Sequence, residues 1–522
     1  MGNKVFNTDQ RITLGIWGLG RGQNFIHSAR ALNIDVVAGC DKNAAMREAF
    51  AKNAPDAYIT DNEDDFLARD FDAVLIATYF PDHAKHAIKA LEAGKHVLCE
   101  VTSFQTPAEG VRLVEAVEKS GKIYHLLENY PFMKDNMHLK KLWDDGFFGE
   151  FIYGEYEYVH CARQLAYAYN FYVDGKNLPV EPGWAVHNWR AALNPHSYNT
   201  HSLGPLMVIT GLRPVAVEAF PNSVAMPGGL IIGDKPAKSS GASLVRMSNG
   251  GVMRNLMGSM TMDNHTGGRL GGTKAGADKM TRGHLRLCIG ADGEGPKFEV
   301  KTEWPDAELG ELCESAGHGG GDFWELYYFA REMLTGEKGP WGIYSACDVT
   351  LAGILAGRSA RRNGEPQRIP DFRLKADRDA YRDDDGADIP HFDAENGCFP
   401  PDADREVVKD FNRVMRDLFH NNGLLRDVFA ALQGMQIYDT LVDRADQFEV
   451  VKCVGRLRGS LPEIAEVCRK AERIAEAYPD SVGGRTIRYG LSNAPLDKIY
   501  NYDKTIGELD AWLDGVMQNG QG

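Results

Sequence analysis

The stretch PHSYNTHSLGPL, residues 195–206, puts His196, Tyr198 and His201 in one short loop that runs into an apolar segment. Imidazole and phenol groups in such a loop suit proton transfer, because burial and neighbouring charges bring their pKa values toward neutrality. Two histidines five residues apart also raise the question of a metal. With His160 they would make three ligands, the number that a catalytic zinc takes. Their spacing is neither the i, i+4 of a helix face nor part of an HExxH motif, so a metal-free site is the expectation. The plainer alternative is a turn that opens a buried helix.

A second chemical feature lies near the N-terminus. GIWGLGRGQNFI places Gly18, Gly20 and Gly22 between an apolar strand pattern and a helical one. Glycine lets backbone approach a pyrophosphate, and a helix N-terminus offers free N–H groups. The spacing is G-x-G-x-G rather than G-x-G-x-x-G, so a tight βα turn without ligand would also fit. Context favours the nucleotide: the next strand ends at Asp41, nineteen residues after Gly22, where a carboxylate accepts bonds from ribose hydroxyls and repels a 2′-phosphate. NAD is therefore expected over NADP, unless Asp41 only caps the following helix.

Further candidates are Glu128, at the end of a strand-like YHLL; Tyr158 and His160, two apart and so on one strand face; Trp189 and Arg190; and His318, in a glycine run. Each has a structural alternative: a strand-end carboxylate, an aromatic stripe, a surface charge, an unusual turn.

The elements that must position these residues show in the hydrophobic pattern. From residue 11 to 128, apolar runs (ITLGIWG, DVVAGCD, FDAVLIAT, HVLCE, IYHLLEN) alternate with helical spacing (PDHAKHAIKALEAG, TPAEGVRLVEAVEKSG). Strands alternating with helices mean a parallel, doubly wound sheet. From about 150, EFIYGEYEYVH, VAVEAFPN, SLVRMSNGGVMRNLMGSM and HLRLCIGADG alternate in the manner of an open, mainly antiparallel sheet, closed by the helices GDFWELYYFAREML and YSACDVTLAGILAGRSARRNG. Near 373 the charged RLKADRDAYRDDDGADIPHFD is expected to be a loop, after which Val407, Phe411, Val414, Met415 and Leu418 mark one apolar helical stripe. The expectation is an α/β chain: a Rossmann domain over 1–128, an α+β substrate domain over 129–372 and a helical extension over 373–522.

Composition narrows the partners. The chain has 522 residues, 43% hydrophobic and 25% charged, which is enough for large cores. A net charge of −15 argues against nucleic acid or an anionic membrane. Nine cysteines without a CxxC pair point to a reducing compartment, and with no signal-like segment the expected location is the cytoplasm.

Taken together and in order, these segments resemble the Gfo/Idh/MocA oxidoreductases over residues 11–372. Within them they are similar to the NAD-dependent, redox-acting glycoside hydrolases of the α-N-acetylgalactosaminidase type. The resemblance rests on LLENY at Glu128, YVHCAR at Tyr158 and His160, HNWR at Trp189 and Arg190, YNTHSLGPLM at Tyr198 and His201, and GHGGGDFW at His318. In the family's ordinary dehydrogenases a Glu-Lys-Pro follows EAGKHVLC; here Glu100 is followed by Val101 and Thr102.

The resemblance implies a mechanism of oxidation at sugar C3, elimination, water addition and re-reduction. It assigns His201, Tyr158, Glu128 and His160 to catalysis, with His201 leading. Gly18, Gly20, Arg21, Gly22, Asp41, Glu100, Glu128 and Tyr198 would hold a tightly bound NAD, and Trp189, Arg190, Tyr198 and His318 the sugar. It also implies a homo-oligomer. Two other outcomes stay open: a sugar or inositol dehydrogenase with an atypical base in place of lysine, and a cofactor-bound regulator.

Overall fold

The computed structural model describes residues 5–160, 171–173, 176–178, 195–222, 224, 227–232, 235–236, 240–258, 267–281, 283–290, 294–387, 398–419 and 423–519. Trp189 and Arg190 lie outside the described residues.

Six strands, β1 (Ile12–Trp17), β2 (Ile34–Cys40), β3 (Tyr58–Thr60), β4 (Ala73–Ile76), β5 (His96–Glu100) and β6 (Tyr124–Leu127), pair in the order β3-β2-β1-β4-β5-β6. Every pairing is parallel. All of Ala73–Ile76 and Tyr124–Leu127 is buried, as strands covered on both faces by helices must be. The helix Pro107–Ser120 shows how firmly sequence sets these covers. Thr106 and Glu109 form a reciprocal capping box, proline stands at the first position, and Gly121 stops the helix at φ 64°. Because the strands are parallel, Gly18, Asp41, Glu100 and Glu128, which end or directly follow β1, β2, β5 and β6, emerge at one edge of the sheet. That edge is where open α/β sheets bind ligands.

The second sheet has nine strands among the described residues. Its central strand, β7 (Phe151–Val159), pairs in parallel with Val252–Gly258 and antiparallel with Gly268–Gly272. The other pairings are antiparallel, so one parallel pair interrupts the expected pattern. Burial alternates strictly along Ser240–Met247. One face packs on the buried helices Thr200–Thr210 and Ile343–Arg361, while Ile152, Leu244 and Phe298 are exposed. A single hydrophobic core runs from the first sheet into this region and reaches Phe372.

The segment expected to be a charged loop is partly helical, over Lys375–Tyr381. Its charges are an ion-pairing face rather than a sign of disorder. Arg382 donates to Glu115 at 2.7 and 3.0 Å, Arg378 to Glu118 at 2.5 Å, and Ala108 N–H to the Asp384 carbonyl at 3.1 Å. Residues 371–385 thus clasp the outer face of helix Pro107–Ser120.

The remaining helices build a second core around Phe411, Leu418, Leu457, Ile464 and Ile487, with the 34-residue helix Arg444–Ala477 through its middle. The apolar stripe from Val407 to Leu418 is not one helix but two, Arg405–Val408 and Phe411–Phe419. Asp404 caps the first by accepting from the Glu406 N–H, and the chain turns at Lys409–Asp410. A loop of the second sheet reaches into this core: Leu230 is fully buried there, and the Ile231 N–H donates to Thr486 Oγ1 at 2.9 Å. No helix among the described residues is long and apolar enough to cross a membrane.

Candidate active site

The glycine turn is built for close approach. Gly18 has φ 95°, and a Cβ there would stand 2.3 Å from the Ala77 carbonyl oxygen. A Cβ on Gly22 would meet Ile16 at 2.5 Å, so this glycine sets the first helical turn directly against β1. That turn begins at Arg21, and no side chain caps it. Asp41 accepts from the Leu19 N–H at 2.7 Å and the Asn43 N–H at 2.8 Å. These bonds fix the carboxylate beside the turn and leave lone pairs for ribose hydroxyls. A glycine cradle with uncapped N–H groups and an acid at the next strand end fits a dinucleotide.

Arg21 has a second task. Its Nε donates to Glu100 at 2.8 Å, and its two terminal nitrogens donate in parallel to Asp322 at 2.7 Å each. Val101 and Thr102, both buried, stand where a lysine would be expected, so no ammonium group occupies this strand end. Asp322 is fully buried and also accepts from Asn129 Nδ2 at 3.2 Å and His318 Nδ1 at 2.9 Å. Burial alone would raise its carboxyl, but the Arg21 charge and the His318 bond hold it below the usual carboxylate range.

Across from this network sits Glu128, fully buried at the end of β6. Its carboxylate accepts from the Tyr130 N–H at 3.1 Å and from His201 Nδ1 at 2.7 and 2.9 Å. With Nδ1 donating, His201 presents Nε2 as its free acid-base atom. The helix Thr200–Thr210 brings the imidazole in through Gly204, where a Cβ would stand 3.2 Å from Glu128 Cγ. Tyrosines surround the ring: Tyr130 stacks at 4.5 Å, and Tyr158 and Tyr198 meet it edge-on at 4.7 and 4.8 Å. His160 follows Tyr158 at the end of β7, with ring centroids 5.5 Å apart.

The structure therefore gathers Glu128, Tyr158, His160, Tyr198 and His201 into one cluster, with His318 linked to it through Tyr130. His196 is fully buried, with its ring filling the space that Gly241 leaves. Among the described residues no group of three or more His, Cys, Asp or Glu side chains is arranged to hold a metal. Sequence reasoning missed Tyr130, Asp322 and Glu325. The i, i+4 step from His318 to Asp322 was the available signal for the second, and ENY, two residues after Glu128, for the first.

Glu325, one helical turn beyond Asp322, is 3% exposed, and neither carboxyl oxygen has a partner among the described residues. Burial pushes its carboxyl well above the usual value, and the charges of Asp322 and Glu100 add to this. Such a group takes up a proton on folding once the pH exceeds its unfolded value of about 4.3, so stability is full below that pH and falls above it. The expected loss is up to ~1.4 kcal/mol per pH unit. Melting curves should therefore show Glu325→Gln gaining on the unmodified protein as the pH rises above about 4. A difference independent of pH would contradict the neutral carboxyl.

Comparison with known proteins agrees with this fold. Residues 12–127 match the Gfo/Idh/MocA profile, described as an oxidoreductase family with an NAD-binding Rossmann fold. A Glycosyl hydrolase family 109 protein of Saccharopolyspora erythraea is 27% identical over 399 residues, spanning 70% of this chain and 84% of that protein. One from a Shewanella species is 24% identical over 400 residues, spanning 69% and 85%. Among solved structures, levoglucosan dehydrogenase in complex with NADH and levoglucosan superposes with a TM-score of 0.57 at 18% identity, covering 69% of this chain and all of that one. An Agrobacterium radiobacter oxidoreductase in complex with NAD+, L-tartaric acid and magnesium gives 0.55 at 14% identity, covering 69% and 99%. Residues 12–127 are thus similar to the NAD-binding Rossmann domain of the Gfo/Idh/MocA oxidoreductases, and over 70% of its length the chain is similar to proteins of glycosyl hydrolase family 109.

Proposed function

We propose that this protein is an NAD-dependent glycoside hydrolase that cleaves its substrate through transient oxidation at sugar C3. The observation that carries the reading is the buried Glu128–His201 pair inside its ring of tyrosines, at the same sheet edge as the glycine cradle. The similarity to family 109 proteins supports it. When bound, NAD supplies the acceptor for the C3 hydride and its later return. His201 Nε2, held by Glu128, takes and gives back the proton of the C3 hydroxyl. The Tyr158 hydroxyl is the partner group at C2 or C3, where the ketone makes the C2 proton acidic. His160 and Tyr198 position the sugar and cofactor around them, and Trp189, Arg190 and His318 hold the sugar. Gly18, Gly20, Arg21, Gly22, Asp41 and Glu100 form the nucleotide side. Because the hydride is returned, the cofactor would not need to dissociate between turnovers, which suits a tightly held NAD.

We further place this enzyme in the cytoplasm as a homo-oligomer acting on a small carbohydrate. All eight described cysteines are free thiols, which suits a reducing compartment.

The test offers purified protein a panel of aryl glycosides in deuterated water with no added NAD. Release of the phenol with deuterium at sugar C2 is expected. Accumulation of NADH only when NAD and a free sugar are supplied would replace this reading with a sugar dehydrogenase. Silence in both assays, with NAD bound, would indicate a regulator.

A further inference from the structure

The helices after Cys398 are tied to the rest of the chain at two places, and both lie beside the candidate active site. The first tie leaves the second sheet. Tyr158 pairs with Met257, Met257 with Gly241 and Gly241 with Pro221, so the four form one row across neighbouring strands. Strands stand about 4.8 Å apart, which puts Pro221 roughly 14 Å from Tyr158 along that row. Beyond Pro221 the chain leaves the sheet, and Ile231–Ile232 and Lys235–Pro236 pair as a short antiparallel ribbon. This ribbon docks on the helix Val482–Leu491. Leu230 is fully buried in the second core, the Ile231 N–H donates to Thr486 Oγ1 at 2.9 Å, and a Cβ on Gly228 would stand 2.7 Å from Phe419. Pro221 and Gly228 are at most about 25 Å apart, since an extended residue spans no more than ~3.6 Å.

The second tie comes from the first sheet. The clasp runs along helix Pro107–Ser120 from Glu118 and Glu115 to the helix start, where Asp385 accepts from Arg112 at 3.0 Å and from Thr106 Oγ1 at 3.4 Å. That start follows β5, so the clasp arrives at the sheet edge where Glu100 and Glu128 emerge. The next described segment begins at Cys398, buried in the second core. Its carbonyl accepts from the Gly483 N–H at 2.8 Å, on the same helix that holds the ribbon. One helix is therefore fastened toward both sheets, in each case from the edge that carries the site's side chains. A unit tied on two sides does not swing aside as a lid on one hinge would.

We propose that the C-terminal helices form the outer wall of the sugar site and restrict its substrates to glycosides of small, soluble alcohols. This rests on the glycosidase reading of the site. The selection works by exclusion: a sugar attached to a protein or a long glycan brings a leaving group that collides with the wall, whereas a short alcohol fits inside it.

Two substrates with the same sugar and the same kind of leaving oxygen separate size from chemistry. One is the methyl glycoside, and the other is the sugar coupled through an alkyl linker to serum albumin. The unmodified protein should act on the methyl glycoside with a kcat/KM about 100-fold or more above that on the conjugate. Thr486→Val removes the acceptor under the ribbon, and Arg382→Ala removes a surface ion pair of the clasp. Combined, they should narrow the gap at least about tenfold by raising activity on the conjugate, while the methyl glycoside stays within about threefold. Arg382→Ala alone, which leaves both cores untouched, should move the gap in the same direction. Melting curves and co-purifying dinucleotide establish that the variants are folded. A smaller gap in the unmodified protein would overturn the wall, and so would a gap that stays unchanged in the folded variants. Unmodified protein that releases no phenol from any nitrophenyl glycoside would overturn the glycosidase reading and this proposal with it.

Discussion

His201→Ala is expected to lower kcat by about 10²–10⁴-fold on any glycoside the protein hydrolyses, while NAD remains bound. The ring is itself buried and is fixed by a buried carboxylate, through bonds of 2.7 and 2.9 Å from Nδ1 to Glu128. Alanine removes the proton acceptor and also leaves Glu128 with the Tyr130 N–H as its remaining partner in the pair. Activity and stability should therefore separate across two variants. His201→Gln restores a donor to Glu128 and recovers part of the melting temperature, but none of the turnover. The checks are steady-state phenol release, thermal melting and the amount of dinucleotide that co-purifies. Activity within about tenfold of normal in the alanine variant would remove His201 from the chemistry.

Asp322→Ala should give the largest stability effect. The side chain ties Arg21 of the glycine turn to Asn129 and His318, and no part of it reaches solvent. Removing one member of a buried ion pair costs about 3–5 kcal/mol, because the other charge stays behind. Calorimetry at fixed NAD concentration should show the melting temperature falling by roughly 10 °C. Lys140 and Asp144, one turn apart on an exposed helix, provide the contrast: Asp144→Ala should cost less than ~1 kcal/mol. The sign with pH is defined. Asp322 titrates below its unfolded value, so its contribution is complete above about pH 4 and disappears as the pH falls through its folded value. The gap between variant and parent should narrow in acid. A melting temperature within about 2 °C of the parent at neutral pH would show that Glu100 alone suffices to hold Arg21.

How much of this could be read from sequence differs by physical cause. The first sheet was legible because strands such as Ala73–Ile76 and Tyr124–Leu127 are buried on both faces, which leaves unbroken apolar runs between helices with strong caps. Glu128, Tyr158 and His201 were legible as segments, and their convergence follows from β6 and β7 ending, and the helix Thr200–Thr210 beginning, at one place. The bond from Arg21 to Asp322 joins positions 301 residues apart, and no local pattern announces such a partner. Glu325 was hidden for the opposite reason: a carboxyl in an amphipathic helix reads as a surface residue until its neighbours are known. In the C-terminal part, helical periodicity was visible. The break at Lys409–Asp410 and the insertion of Leu230 into that core depend on tertiary packing alone.

The clasp over helix Pro107–Ser120 has a consequence for how the chain matures. Every residue of the first sheet has been synthesised by Leu127, but the arginine partners of Glu115 and Glu118 are Arg382 and Arg378, 267 and 260 residues later. Throughout synthesis of the intervening part, that helix carries its acidic face uncovered toward water. The N-terminal unit is thus assembled early and fastened late, and the fastening arrives only after the second sheet has been made.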